Sequence, residues 1–130
     1  MTIFGAIGVA GTGLTVYRKW IDAISDNLAN VNTVRPTNEE AFRTRYVVAE
    51  PMAGGGTQVA GIALGSAEGR LVYEPQHPLA DAEGYVRYPD IDMSSQMTQL
   101  IMAQRGYQAN AAVVDRAREA YQAALQIGRG

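Results

Sequence analysis

The chain has 130 residues, an apolar fraction of 47%, a formal net charge of −2 and no cysteine. Those values fit a single folded domain and exclude wholesale disorder, disulfides, thiol catalysis and cysteine-ligated zinc. The positive side chains, ten arginines and Lys19, are scattered with no block of like charge, so the chain carries neither a nucleic-acid footprint nor an acidic tail.

The first 17 residues contain no charged side chain. They are too few, and too rich in glycine (Gly5, Gly8, Gly11 and Gly13), to span a bilayer. Arg18 and Lys19 follow the apolar stretch, whereas a secretory signal places its positive region first, so a cleaved signal peptide is not expected. Through this region runs a seam: Ile3, Ile7, Ala10, Leu14, Tyr17, Ile21, Ile24, Leu28 and Val31 follow one another at alternating spacings of four and three. That is coiled-coil spacing and predicts a long helix over residues 1–33. Asn30 and Asn32 tolerate the left-handed conformation used past helix ends, and Pro36 pushes Arg35 out of helix.

All five prolines, Pro36, Pro51, Pro75, Pro78 and Pro89, lie in the middle, which marks residues 34–90 as a separate non-helical segment. It reads as a small β module. Phe42, Thr44, Tyr46 and Val48 alternate with Arg43, Arg45 and Val47 as a half-buried strand, and a loop follows at Gly54-Gly55-Gly56. Weaker strands are predicted over Gln58–Leu64 and Arg70–Glu74, with another short one over Gly84–Tyr88. Such a segment makes a marginal core by itself.

Residues 91–130 form the second predicted helix, with Asp90 or Asp92 as N-cap and Gly128 and Gly130 at its end. Its seam runs through Met93, Met97, Leu100, Gln104, Tyr107, Ala111, Val114, Arg118, Tyr121 and Leu125. The fold class is therefore mainly α, with N- and C-terminal helices pairing as a coiled coil around a short β-rich insertion.

A three-four stripe also suits a bundle core closed within one molecule. Two features favour an assembly surface. The four early glycines cost together about 3–4 kcal/mol of helix propensity, so the lone helix frays. Tyr17, Trp20, Tyr107 and Tyr121 also exceed what one helix pair covers. Folding that completes on polymerisation is the expectation.

Chemistry is sparse. His77 stands between Pro75 and Pro78 as a rigid turn residue, and Asp81 with Glu83, or Asp90 with Asp92, reads as turn and cap chemistry without calcium-loop spacing. Ser25, Ser66, Ser94 and Ser95 sit in no nucleophile pattern, and Gly54–Gly56 lacks the Lys-Ser/Thr partner of a phosphate loop. No enzyme activity, cofactor, metal, nucleic acid or small-molecule substrate is expected. Asn27 and Asn30 share a face beside Leu28 and Val31, where two mediocre helix formers within a turn suggest specific amide bonds or a C-cap cluster. Asn110 poses the same question in the second helix.

Ser25-Asp26-Asn27-Leu28-Ala29-Asn30-Val31-Asn32-Thr33 resembles the Asn-Leu-Ala-Asn signature of the bacterial flagellar axial proteins, the rod and hook subunits. Arg105-x-Tyr107-x-Ala109-Asn110 resembles their C-terminal partner motif, and the segment Val72–Val86 resembles the middle of proximal rod members. The chain departs from the family at Gln96-Met97, where Glu-Met is common. The resemblance implies a structural subunit without catalysis, exported uncleaved through the flagellar type III channel. It would polymerise helically into the hollow periplasmic rod that carries motor torque to the hook. Implied partners are further copies, sibling proximal rod proteins, the rod/MS-ring junction protein, the distal rod and, in transit, the export apparatus. The assembly interface is expected along Ile7, Leu14, Tyr17, Ile21, Ile24, Leu28 and Val31 of the first helix and Met97, Leu100, Tyr107, Val114 and Tyr121 of the second. Asn27, Asn30, Arg105 and Asn110 would fix register. The alternatives are a sibling proximal rod protein, a soluble coiled-coil adaptor or a membrane-surface protein, the last lacking the basic face such helices carry.

Overall fold

The computed structural model describes residues 2–130. Helix α1 spans Ile3–Ala29, and four strands follow, β1 (Arg45–Pro51), β2 (Thr57–Leu64), β3 (Arg70–Tyr73) and β4 (Tyr85–Tyr88), before helix α2 at Met93–Arg129. The two helices pack against each other, and the β segment stands where α1 ends and α2 begins.

The helix ends follow from local chemistry. Thr2 caps α1, its hydroxyl accepting from the Gly5 N–H at 2.9 Å. At the other end Asn30 is the C-cap, but at φ −108° rather than in the left-handed region anticipated for it, since its N–H still reaches the carbonyls of Asp26 and Asn27. Of the two candidate caps for α2, Asp92 does the work: its carboxylate accepts from the Ser94 N–H at 3.2 Å.

The strands form two antiparallel hairpins, β1–β2 and β3–β4. β1 starts at Arg45, three residues later than the alternation that begins at Phe42. The earlier stretch is held differently, with the buried Thr44 hydroxyl donating to the Asp90 carbonyl at 3.0 Å. Gly54, Gly55 and Gly56 all take positive φ at the tip of the β1–β2 hairpin, the conformation that glycine enters without a Cβ penalty. The second hairpin gains an extra rung from Arg35, whose N–H and C=O both bond to Arg87 at 2.9 Å.

The core is small and lies at one end of the molecule. Ala23, Ile24 and Asn27 of α1, Ala41, Thr44, Val86, Pro89 and Ile91 of the β segment, and Gln96 and Ala103 of α2 are its buried members. Ala10 is the one buried residue in the other half of α1. No helix among the described residues is long and apolar enough to cross a membrane.

Candidate assembly interface

The helices run antiparallel, and four contacts fix their register. Phe4 stacks edge-on against Tyr121, with ring centroids 5.1 Å apart. Asn110 lies so close to Gly13 that a Cβ there would stand 2.7 Å from its amide oxygen. Tyr17 lies over Gly106, where a Cβ would meet the ring at 2.3 Å. Finally, Asn27 donates to Gln96 Oε1 at 3.0 Å. Each glycine thus receives a large side chain from the partner helix, a reciprocal fit that brings the backbones close and gives two of the chain's costly helical glycines a purpose.

This geometry revises the register of the second seam. Leu100, Tyr107 and Val114 are half-buried, as the spacing predicts, but Met93, Met97, Gln104 and Arg118 are exposed. The alternate seam positions fall one residue earlier, at the buried Gln96 and Ala103 and the half-buried Asn110 and Ala117. Hydrophobicity alone selects Met97. Close packing against Tyr17 and Gly13 instead selects small or hydrogen-bonding residues, because a long side chain would hold the helices apart. Gln96, Ala103 and Gly106 are the residues that sequence reasoning missed. The available signal was that the x of Arg105-x-Tyr107 is a glycine inside a helix.

In α1, Ile24 is buried and Ile7, Leu14, Tyr17, Ile21 and Leu28 are half-buried, as is Val31, which lies in the turn past the helix because α1 ends at Ala29 and not at residue 33. Asn27 is 1% exposed and joins three elements. Its Oδ1 accepts from the Arg45 N–H at 2.8 Å, and its Nδ2 donates to the Arg45 carbonyl at 2.9 Å and to Gln96. The carboxamide therefore fills the place of a neighbouring strand at the first residue of β1, beside an ion pair between Asp26 and Arg45. The other polar positions act locally. Asn30 bonds the Asp26 carbonyl and accepts from Thr33, Asn110 donates to the Gly106 carbonyl of its own helix, and Arg105 is exposed. The Tyr107 hydroxyl oxygen faces the Arg18 guanidinium as an acceptor and raises its pKa.

A second face of α1 carries the β1–β2 hairpin. Its tip reaches Val9 and Thr12: Gly55 approaches the Val9 side chain, and the Thr57 N–H donates to the Thr12 hydroxyl at 3.1 Å. Past the Phe4–Tyr121 contact, the end of α2 stands clear of the hairpin and of α1. Every residue from Arg118 to Gly130 is exposed, including Tyr121 at 39%, Leu125 at 51% and Ile127 at 82%. Large apolar side chains left exposed together at one end of a helix are a feature of interaction surfaces.

The loop between β3 and β4 is a tightly turned structural element. His77 accepts from the Leu79 N–H at Nδ1, 3.0 Å, and Asp81 Oδ1 accepts from the Glu83 and Tyr85 N–H groups. The Tyr85 bond, joined by one from Thr37, holds the Asp81 carboxyl below its ordinary pKa. Tyr88 donates to Glu74 at 2.9 Å, and that bond raises the phenol's pKa. Arg87 closes the module by donating to the Glu68 and Thr37 carbonyls. Among the described residues no cluster of His, Asp and Glu is placed to hold a metal ion.

Comparison with known proteins agrees with this architecture. Residues 7–37 match the family of the flagella basal body rod protein, and residues 82–127 match the flagellar basal body rod FlgEFG protein C-terminal family. The chain is 34% identical to the flagellar basal-body rod protein FlgC of Salmonella typhimurium, over 99% of this chain and 100% of that protein. The FlgC protein of Borreliella burgdorferi is 32% identical over the full length of both, and that of Bacillus subtilis 30% identical over 99% of this chain and all of its own. On its paired terminal helices, its β insertion and this end-to-end similarity, the chain belongs to the FlgC family of flagellar basal-body rod proteins.

Proposed function

We propose that this chain is a structural subunit of the proximal rod, polymerising helically with its helices in the wall of a hollow periplasmic shaft that transmits motor torque to the hook. The observation that carries the reading is the open flank of the helix pair, where α2 continues exposed and apolar through Tyr121, Leu125 and Ile127. A monomer gains nothing from that surface, whereas a polymer buries it on every subunit. The flank of α1 through Ile7, Leu14, Ile21 and Leu28, with Val31 in the turn after it and Met97 and Val114 of α2, completes the interface. Asn27 sets the register of each subunit, and Asn30, Arg105 and Asn110 stand along the same helices.

Further copies, the sibling proximal rod proteins, the rod/MS-ring junction protein and the distal rod are its neighbours. The subunit reaches the periplasm uncleaved through the flagellar export apparatus. A chain without cysteine and with helical arms completed by neighbours suits that passage. The role asks for no catalysis and no cofactor. The sibling rod protein FlgB is the less favoured identity, because the relatives matched end to end are FlgC proteins. Replacing Leu28 with Asp in the source bacterium tests the proposal: swimming in soft agar is lost and basal bodies are isolated without a completed rod. Normal swimming overturns it.

A further inference from the structure

Charge is divided unevenly along this chain. Residues 34–92 carry nine carboxylates against five arginines, whereas residues 93–130 carry four arginines against two carboxylates. All five arginines of the β segment are already engaged. Arg43 and Arg70 donate to the Gly65 and Pro89 carbonyls, and Arg87 to those of Glu68 and Thr37. Arg35 and Arg45 pair with Glu39 and Asp26. Glu68 and Glu83, both exposed, have no ion-pair partner among the described residues. They stand just before β3 and just before β4, at opposite ends of the antiparallel ladder. Val86 of that hairpin is buried and Val72 half-buried, which leaves Leu71, Tyr73 and Tyr85 on the outer face, 57%, 63% and 39% exposed. The two tyrosine rings lie 5.4 Å apart, and neither β3 nor β4 packs against a helix. An apolar patch edged by carboxylates repels phosphate and anionic lipid and suits a partner that is apolar and basic.

The far end of α2 has both properties on one stripe. At 3.6 residues per turn, Arg118, Leu125 and Arg129 fall within about 40° of one another on the helix surface. All three are exposed. Arg129 has no ion-pair partner among the described residues, and Arg118 has only Asp115 at 3.8 Å, a pair open to water and worth little. The stripe is about 16 Å long and the four-rung ladder about 13 Å, a difference that arginine side chains span. Charge and apolar content thus match between two surfaces of the same chain. They cannot meet within one molecule, because the stripe lies about 38–54 Å along α2 from the end where the hairpin stands.

We propose that the Arg118–Arg129 stripe of one copy docks on the β3–β4 hairpin of the next. Leu125 lies against Leu71, Tyr73 and Tyr85, and the arginines meet Glu68 and Glu83. This contact rests on the rod reading above and names the surface that covers the end of α2. Two different surfaces meet, so the contact is head-to-tail and repeats from copy to copy.

Charge reversal tests the occupant as well as the surface. Arg118→Glu with Arg129→Glu, or Glu68→Arg with Glu83→Arg, sets like charges against each other and lowers the yield of completed rods about tenfold. The residues changed are exposed, so each purified variant keeps the wild-type thermal midpoint. All four reversals in one chain restore the pairing between copies, and rod yield and swimming return. A four-reversal chain as defective as either pair shows that a different protein covers the surface and overturns the proposal. Reversals that build rods as wild type does also overturn it. The absence of cysteine supplies a second measure that leaves the charges in place. Tyr73→Cys with Leu125→Cys, treated with a short bismaleimide in isolated basal bodies, yields dimers and higher multimers of this chain, and either cysteine alone yields none. Monomer alone from the double variant overturns the proposal and leaves the rod reading standing. Absence of the wild-type chain from basal bodies overturns both.

Discussion

The two ends of this molecule are built on different terms. At the junction end, where α1 stops and α2 starts, buried apolar residues and hydrogen-bonded polar groups interlock: Ile24, Val86 and Pro89 are fully buried, Thr44 bonds to Asp90, and Arg87 bonds to two loop carbonyls through its terminal nitrogens while its buried Nε has no partner. At the far end the same two helices meet through Phe4, Ala10 and Tyr121, and α2 runs on with its apolar side chains in water. One end is closed by its own sequence and the other is left open. The export and assembly proposed above would be served by this division: the closed end would set the angle at which the arms leave it, and neighbours would hold the open end.

Breaking the closed end has the largest effect. Asn27→Ala strips the Arg45 N–H and C=O and the Gln96 amide of their partner inside the core, a loss of about 3 kcal/mol, which is a large share of the stability of a small domain. The urea midpoint of the purified chain reports it, and a midpoint within error of wild type would show that the junction is not what holds the monomer. Next comes Gly106→Ala. A helix ordinarily gains from this exchange, but the new methyl meets the Tyr17 ring, and the overpacking destabilises by about 2 kcal/mol. Thermal unfolding of the variant should show a lower midpoint, and a higher one would mean that Tyr17 moves aside freely.

Much of this was legible in the sequence, for physical reasons that stop at a definite point. Confinement of the prolines to the middle fixes where helices can run, and the three-four spacing shows that the helices pair. Alternation finds the strands near Tyr46 and Val86. The register of α2 was not legible, because hydrophobicity ranks Met97 above Gln96, while the contact with α1 requires close approach and an amide acceptor for Asn27. The departure of this chain from the family's Glu-Met pattern falls at that position. Gln96 keeps the acceptor that Asn27 needs and places no charge in the core. The backbone of Asn30 was also misjudged, since a helix cap can close through bonds to Asp26 and Asn27 without turning left-handed. As for the interface residues, spacing marks them as apolar and periodic, but which neighbour covers each one depends on another chain.

The open end answers to smaller changes. Gly8 has nothing within 4 Å of where a Cβ would lie, unlike Gly13 and Gly106. Gly8→Ala therefore raises the stability of the purified monomer by about 0.8 kcal/mol, the ordinary propensity gain. Opposite signs for Gly8→Ala and Gly106→Ala would place the boundary between open and closed surfaces along a single helix pair. Equal signs would erase it.

The smallest effect is a pH dependence local to the closed end. Asp81 is held below its ordinary pKa chiefly by the Tyr85 N–H, with help from Thr37 and the Glu83 and Gly84 N–H groups. A carboxylate depressed in the folded state contributes stability that is fully present above its unfolded value, about 3.9 for Asp, and is lost as pH falls through the lower folded value. The turn at Asp81–Tyr85 should therefore hold through mildly acid conditions and loosen below the ordinary carboxylate range. Amide proton shifts of Glu83 and Tyr85 follow this directly, since both groups donate to Asp81 Oδ1. In Asp81→Asn the acid-side change at these two amides disappears, while the shifts of residues in the far halves of α1 and α2 stay as in the parent chain. A change that instead spread along both helices would mean that the junction and the arms unfold together, and that the closed end does not stand apart from the open one.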